Sequence, residues 1–137
     1  MLQVAMKKIT GISLVVVVLF ATLFITAFQN PKNEPVRHIV VFKYKPDATS
    51  AQIEKVTKAF GDLQNKIPGI VAFEYGVNDS PENKNLGFTH VYQLTFEDAA
   101  ARDNYLPHPE HKTFGELLGQ LDILEDAFVV DYAPVKP

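Results

Sequence analysis

A phenol, two imidazoles and two prolines fall within seven residues in the run Tyr105-Leu106-Pro107-His108-Pro109-Glu110-His111. Each proline fixes one backbone angle, so a segment of this kind holds titratable side chains at set positions. An unperturbed imidazole titrates at about 6.5, and can take a proton from a carbon beside a carbonyl at ordinary pH. A neighbouring phenol can donate a hydrogen bond to the oxygen on which charge then develops. The chemistry open to these residues is acid/base catalysis without a cofactor, with His111 as base and Tyr105 as hydrogen-bond donor. The structural alternative is that Tyr105 and His108 satisfy backbone groups in a proline-constrained turn, with His111 at a helix start.

The other two histidines, His38 and His90, lie in alternating apolar runs. A histidine on such a run is either a core residue with a satisfied hydrogen bond or a substrate contact, and Tyr92 shares the His90 face at period two. Val40, Phe42, Phe60 and Phe73 would add the apolar wall that a small hydrophobic carbonyl compound requires. A metal reading would use His108, Glu110 and His111 with a strand histidine, but neither an HExxH helix nor a cysteine-containing zinc pattern is present. No phosphate-cradling glycine loop, nucleophile elbow or dinucleotide fingerprint occurs either. Neither a metal nor a cofactor is expected.

These residues need a scaffold. Residues 36–45 are rich in β-branched and aromatic side chains, with His38, Val40, Phe42 and Tyr44 on one face, and predict a first strand ended by Pro46-Asp47. Thr49-Ser50-Ala51-Gln52 has capping-box spacing; Ile53, Val56, Phe60, Leu63 and Ile67 follow at intervals of three and four, predicting an amphipathic helix stopped by Pro68-Gly69. A second strand over 70–77, a polar loop over 78–85 and a third strand over 88–96 come next. Asp98 caps a helix to Tyr105, Pro107 interrupts it, and a short further helix over about 109–118 leads to a fourth strand near 127–132. The order is β-α-β-β-α-β, an α+β ferredoxin-like arrangement with one sheet face bare. On that face Ile39, Val41, Phe128 and Val130 would form an exposed apolar patch, which a second copy of the chain would cover.

The chain has 137 residues, 47% of them hydrophobic, enough for one domain with a core. It has no cysteine, which excludes a disulfide scaffold, a thiolate metal site and a thiol nucleophile. Lys7 and Lys8 precede an apolar run from Ile9 to Phe28, so residues 1–28 read as a signal peptide or a membrane anchor. The expectation is an exported protein, membrane-anchored or periplasmic or extracellular, that meets a membrane only through this segment. Residues 29–35 form a polar linker with two prolines. From Val36 onward ten Lys and Arg stand against fifteen Asp and Glu, a balance that argues against a nucleic-acid partner.

His38-Ile39-Val40-Val41-Phe42-Lys43, Ile67-Pro68-Gly69-Ile70, Tyr75-Gly76, the Tyr105 to His111 turn and Asp131-Tyr132 resemble, in order and spacing, the signatures of the Dabb family of stress-responsive dimeric α/β barrels. The resemblance spans residues 36–135 and implies a homodimer in which two four-stranded sheets form one barrel. Many members of that family have no known reaction, and some plant members are regarded as stress or stability proteins. One plant cyclase of the family closes a linear polyketide by aldol condensation with a tyrosine and a histidine in this turn. Carried over, they fall on Tyr105 and His111, and that enzyme's other pocket histidines fall on His38 and His90. Two departures, Tyr92 for a smaller aliphatic residue and Gly61 for a larger one, argue against a long alkyl substrate.

Three classes of function follow. The first is a homodimeric protective or ligand-sequestering protein that binds a small hydrophobic compound. The second is a cofactor-free cyclase, lyase or isomerase acting through His111 and Tyr105 on a small carbonyl or polyketide-like compound. The third, by fold analogy alone, is a heme-handling or monooxygenase-like barrel. An enclosed cavity between helices and sheet, lined by Tyr105 and His111, favours the second, a filled interior the first.

Overall fold

The computed structural model describes residues 34–135. The expected signal or anchor over 1–28 and most of the 29–35 linker lie outside the described residues. Among the described residues no helix is long and apolar enough to cross a membrane.

Strand β1 spans Val36–Tyr44 and leads to helix α1, Ser50–Asp62, which a short 3-10 turn, Leu63–Asn65, prolongs. The Thr49 hydroxyl accepts the Gln52 N–H at 3.3 Å while the Gln52 side chain accepts the Thr49 N–H at 2.9 Å, closing the capping box. Of the stripe read from helical spacing, Val56, Phe60, Leu63 and Ile67 are buried and Ile53 is partly buried. At Pro68-Gly69 the chain must reverse tightly: Gly69 has φ +87°, and a Cβ there would stand 2.5 Å from the Ala101 Cβ. Strands β2, Ile70–Val77, and β3, His90–Phe96, follow, then helices α2, Ala99–Tyr105, and α3, Pro109–Leu121, and strand β4, Leu124–Tyr132.

The four strands form one antiparallel sheet in the order β2-β3-β1-β4, the ferredoxin-like topology, with β1 between β3 and β4. Its helix-covered face carries His38, Val40 and Phe42 of β1 and Tyr92, Leu94 and Phe96 of β3, which pack with the α1 stripe, Tyr105 and Phe114 into the core. Edge strand β4 receives little of this cover: even Val129, opposite Val40 in the register, is 55% exposed. That gap over β4 becomes the site described below.

Several boundaries differ from expectation, and helix α1 with its 3-10 turn stops at Asn65, short of Pro68. Strand β3 begins at His90 rather than at 88, because Leu86 and Gly87 both adopt positive φ and the Phe88 N–H turns back to the Asn85 carbonyl at 2.8 Å. Helix α3 runs on past 118 to Leu121, since Leu118 and Leu121 still pack on the core. It ends when Asp122 enters the left-handed region, and β4 therefore starts at Leu124 rather than near 127.

On the bare face the register sets Ile39 beside Val130 and Val41 beside both Phe128 and Val91. Phe128 and Val130 are about half exposed, as the alternation predicts. Val41 departs from that prediction and is only 8% exposed: it lies on the central strand between Phe128 and Val91, and Phe88 packs edge-on to Phe128 at 5.0 Å.

Candidate active site

The break between α2 and α3 follows from its prolines. Helix α2 starts on the Asp98 carboxylate, which accepts the Ala101 N–H at 2.8 Å, and it cannot extend through Pro107. His108 then adopts an extended conformation and caps α3: its Nδ1 accepts the Glu110 N–H at 3.2 Å, with Pro109 in the first turn. His108 is thus occupied by backbone, as the structural alternative held. His111 stands at the start of α3, as that alternative also held.

Tyr105 is 1% exposed, its ring packed against His38, Phe96 and His111 at centroid separations of 5.6, 5.1 and 4.2 Å. Burial, reinforced by the nearby Asp131 charge, pushes its phenol well above the ordinary range, so it stays protonated and able to donate. His111 lies over it in the first turn of α3, and its Nδ1–H donates to the Leu106 carbonyl at 3.0 Å. A carbonyl only accepts, so in the neutral imidazole the basic lone pair belongs to Nε2.

Both residues line a cleft of about 420 Å³ between α2, α3 and the sheet. Of the expected site residues, His38, Val40, Phe42 and Phe60 line it as well. Leu106, Phe114, Leu118 and Val129 are among its other wall residues, and its surface is mostly apolar. None of these four was singled out from sequence; helical spacing could have flagged Phe114 and Leu118, but nothing local marks Val129.

His90, Tyr92 and Phe73 do not line the cleft. Tyr92 is fully buried behind its wall, with its ring 5.2 Å from those of both Phe42 and Phe60. The Tyr92 hydroxyl is shared with Thr57 at 2.8 Å and Tyr44 at 3.0 Å. Phe73 packs beside Phe60 and fills the space over Gly61, where a Cβ would meet its ring at 3.0 Å. His90 pairs with Thr89 at 2.9 Å and lies edge-on to Tyr44, so the four histidines do not converge on one place.

Two polar residues of the site were not assigned a role from sequence. Asp131 faces His38 across the β1–β4 pairing, and its Oδ1 lies 2.6 Å from the imidazole Nδ1. Its other oxygen accepts from Arg102 of α2. Burial opposes the Asp131 charge, but the hydrogen bonds from Arg102 and His38 prevail and hold its carboxyl below the usual range. For His38 burial prevails over the attraction of Asp131, so its imidazole is held below the ordinary value and is neutral near neutral pH.

Residues 36–134 match the Stress responsive A/B Barrel Domain, Dabb. The chain belongs to the Dabb family. This Dabb domain is 36% identical over 103 residues to a stress-response A/B barrel domain-containing protein of Arabidopsis thaliana, across 74% of the chain and 92% of that protein. It is 34% identical over 101 residues to olivetolic acid cyclase of Cannabis sativa, across 74% of the chain and 98% of the cyclase. Among solved structures it resembles hydroxynitrile lyase from Passiflora edulis, with a TM-score of 0.69 and 30% identity over 77% of the chain and 97% of the lyase. It also resembles a dimeric ferredoxin-like protein of unknown function from Bacteroides fragilis, with a TM-score of 0.56 and 28% identity over 72% of the chain and 95% of that protein. Proteins similar to this chain thus include a cyclase and a lyase.

Proposed function

We propose that this Dabb protein is a homodimeric, cofactor-independent lyase or cyclase that acts on a small hydrophobic carbonyl compound. The observation that carries the reading is the open apolar cleft in which a protonated phenol and an imidazole with a basic Nε2 lie ring on ring. A filled interior would have left only packing for these groups to do.

In this reading the carbonyl oxygen of the ligand accepts from the Tyr105 hydroxyl while His111 Nε2 takes the proton from the adjacent carbon. The C–H electron pair becomes the enolate, whose oxygen carries charge that the Tyr105 hydrogen bond stabilises more than it stabilises the neutral ketone. Apolar walls from Val40, Phe42, Phe60 and Phe114 keep water from competing for the same donor. Tyr92 closes the interior behind Phe42 and Phe60, which confines the ligand to the cleft and suits a short substituent.

Dimerisation is supported by the half-exposed Phe128, Val130 and Tyr132 on the bare face and by the dimeric state of the Bacteroides fragilis protein. Removing several such side chains from water, at about 25 cal/mol per Å², would contribute to holding two copies together. The basic pair Lys7-Lys8 and the apolar run after it support export, with the chain released or anchored at the membrane.

Hydrogen exchange at carbon tests the catalytic reading without knowledge of the natural substrate. In heavy water the chain should accelerate deuterium uptake beside the carbonyl of benzylacetone, followed by proton NMR, and His111→Ala and Tyr105→Phe should each abolish most of that acceleration. Equal exchange by the wild type and both variants would rule the reading out in favour of a binding or protective protein.

A further inference from the structure

The cleft is short of a wall over β4. It is lined there by Leu124, Ala127 and Val129, and Val129 is 55% exposed. Strand β4 is one edge of the sheet and β2 the other, so each presents a row of backbone N–H and C=O groups with no neighbouring strand. On β2, Tyr75 and Val77 share the helix side with their register partners Tyr92 and His90, and both are 62% exposed. The opposite, bare face is graded in size from β2 to β4. One row across it runs Gly76, Val91, Val41, Phe128, and another Ala72, Thr95, Arg37, Tyr132. Both rows are small at β2 and aromatic at β4. In the row between them, Glu74 accepts from the Gln93 side chain at 2.6 Å. A Cβ on Gly76 would meet nothing within 4 Å, and a hollow of about 380 Å³ opens there between Glu74, Val77, Val91 and Gln93.

Two copies of this face fit together best in one way. A two-fold axis parallel to the strands keeps every row at its own level and reverses the strand order, so β4 of each copy faces β2 of the other. Phe128 then stands over the hollow at the partner's Gly76, and Tyr132 over the partner's Ala72. An axis across the strands would set β4 on β4 and β2 on β2, with aromatic rings against each other and the hollows empty, which close packing disfavours. We propose that the copies pair about the first axis and that the cleft is thereby completed in trans, with Tyr75 of the partner subunit packed on Val129. The inference rests on the homodimer reading and deepens it by giving each subunit a residue in the other's site. Strand β2 runs parallel to β1 and β4 antiparallel to it, so the edges of β4 and of the partner's β2 meet as an antiparallel pair. Counting from the partner's Gly76 beside Phe128, the partner's Tyr75 falls beside Val129 and the partner's Val77 beside Ala127, all pointing to the helix side. Val129 and Ala127 line the cleft, so these two side chains supply the wall it lacks. The Tyr75 ring is steadied by its own chain, stacked on Phe73 at 6.0 Å and on Tyr92 at 6.2 Å.

The chain has no cysteine, so introduced thiols report the arrangement directly. Within one sheet Tyr75 and Val129 stand three strand spacings of about 4.8 Å apart, too far for a disulfide inside one chain. Full-length Tyr75→Cys and Val129→Cys proteins, mixed and oxidised, should give a covalent dimer on a denaturing gel, and neither should do so alone. The double variant Tyr75→Cys/Val129→Cys, which needs no exchange of subunits, should cross-link as well. A covalent dimer from Val129→Cys alone, or none from the double variant, overturns the proposal. Side-chain size gives a second check: Gly76→Leu should lower the dimer fraction in light scattering, and Phe128→Ala added to it should restore dimers. Without that restoration the two positions do not face each other and the proposal falls. Benzylacetone should shift the Val129 methyl resonances of wild type, and Tyr75→Ala should weaken its binding by about tenfold. Binding of equal strength by both proteins overturns the wall in trans. A monomeric wild type takes the homodimer reading and this inference down together, whereas a dimer that does not cross-link overturns this inference alone. Benzylacetone that leaves the wild-type resonances unmoved counts against the carbonyl reading, and a cross-link in that same protein still upholds the partner's Tyr75 beside Val129.

Discussion

His111 lies across the ring of Tyr105 with centroids 4.2 Å apart and planes inclined by 36°, although the two residues belong to different helices. Pro107 and Pro109 make this possible: they end α2 and start α3 within four residues, so the first turn of α3 folds back onto the last residue of α2. A continuous helix would have set these side chains on opposite faces or a full turn apart.

Replacing His111 with Ala should leave the fold nearly intact. The imidazole is only partly buried, and its loss removes one hydrogen bond to the Leu106 carbonyl, worth about 1 kcal/mol, or roughly 4–8 °C in Tm for a domain of this size. Calorimetry and benzylacetone exchange on the same sample separate the roles. Exchange should fall by about a hundredfold or more. A much larger drop in Tm would mark His111 as structural.

Tyr105→Phe keeps the buried ring and deletes only the donor. Stability should change little while exchange falls by about a hundredfold, mostly in kcat, because the lost hydrogen bond matters most when the enolate forms. Tyr105→Ala should instead cost about 3–5 kcal/mol, since it empties a site that is 1% exposed. Chemical denaturation of both variants checks the contrast.

Acid should destabilise the domain in two windows. His38 has a folded pKa below its unfolded value of about 6.5, so the unfolded chain binds more protons and stability declines as pH falls below that value. Asp131 has a lowered folded pKa too, so its contribution is full above about 4 and is lost at lower pH. Thermal melts of wild type and His38→Gln across this range should show the upper window flattened in the variant. Parallel curves would contradict the burial of a neutral His38.

Gly69→Ala should be among the more damaging single-methyl changes in the chain. A positive φ costs an L-residue about 1–2 kcal/mol, and the new Cβ would also lie 2.5 Å from that of Ala101, so α2 would have to shift. Because α2 carries Tyr105 and Arg102, urea titration should show the lost stability and NMR should show displaced Tyr105 and His38 resonances.

Val130→Asp should convert a dimer to a monomer. It places a charge on the bare face beside Ile39, at a position already 46% exposed, so the isolated subunit loses little while an interface would bury the charge unpaired. Light scattering of wild type and variant at micromolar concentration gives the result; a monomeric wild type would exclude the barrel.

The ferredoxin-like order and most of the core could be read from local pattern. Period-two runs marked β1, β2 and β3, helical spacing marked Val56 and Phe60, and the capping box and prolines marked where helices begin and end. These features are legible because they depend on neighbours within a few residues. The site was only partly so. Tyr105 and His111 share a turn and could be paired from sequence, whereas His38 meets Asp131, 93 residues away, only through the register of β1 against β4. Arg102 reaches the same carboxylate from a helix packed on that sheet. His90 and Tyr92 have the same alternation as His38, and nothing local tells them apart. Tertiary packing decided the matter, because α1 packs over β3 and seals Tyr92 inside, while the helices leave β4 largely uncovered and open the cleft beside His38.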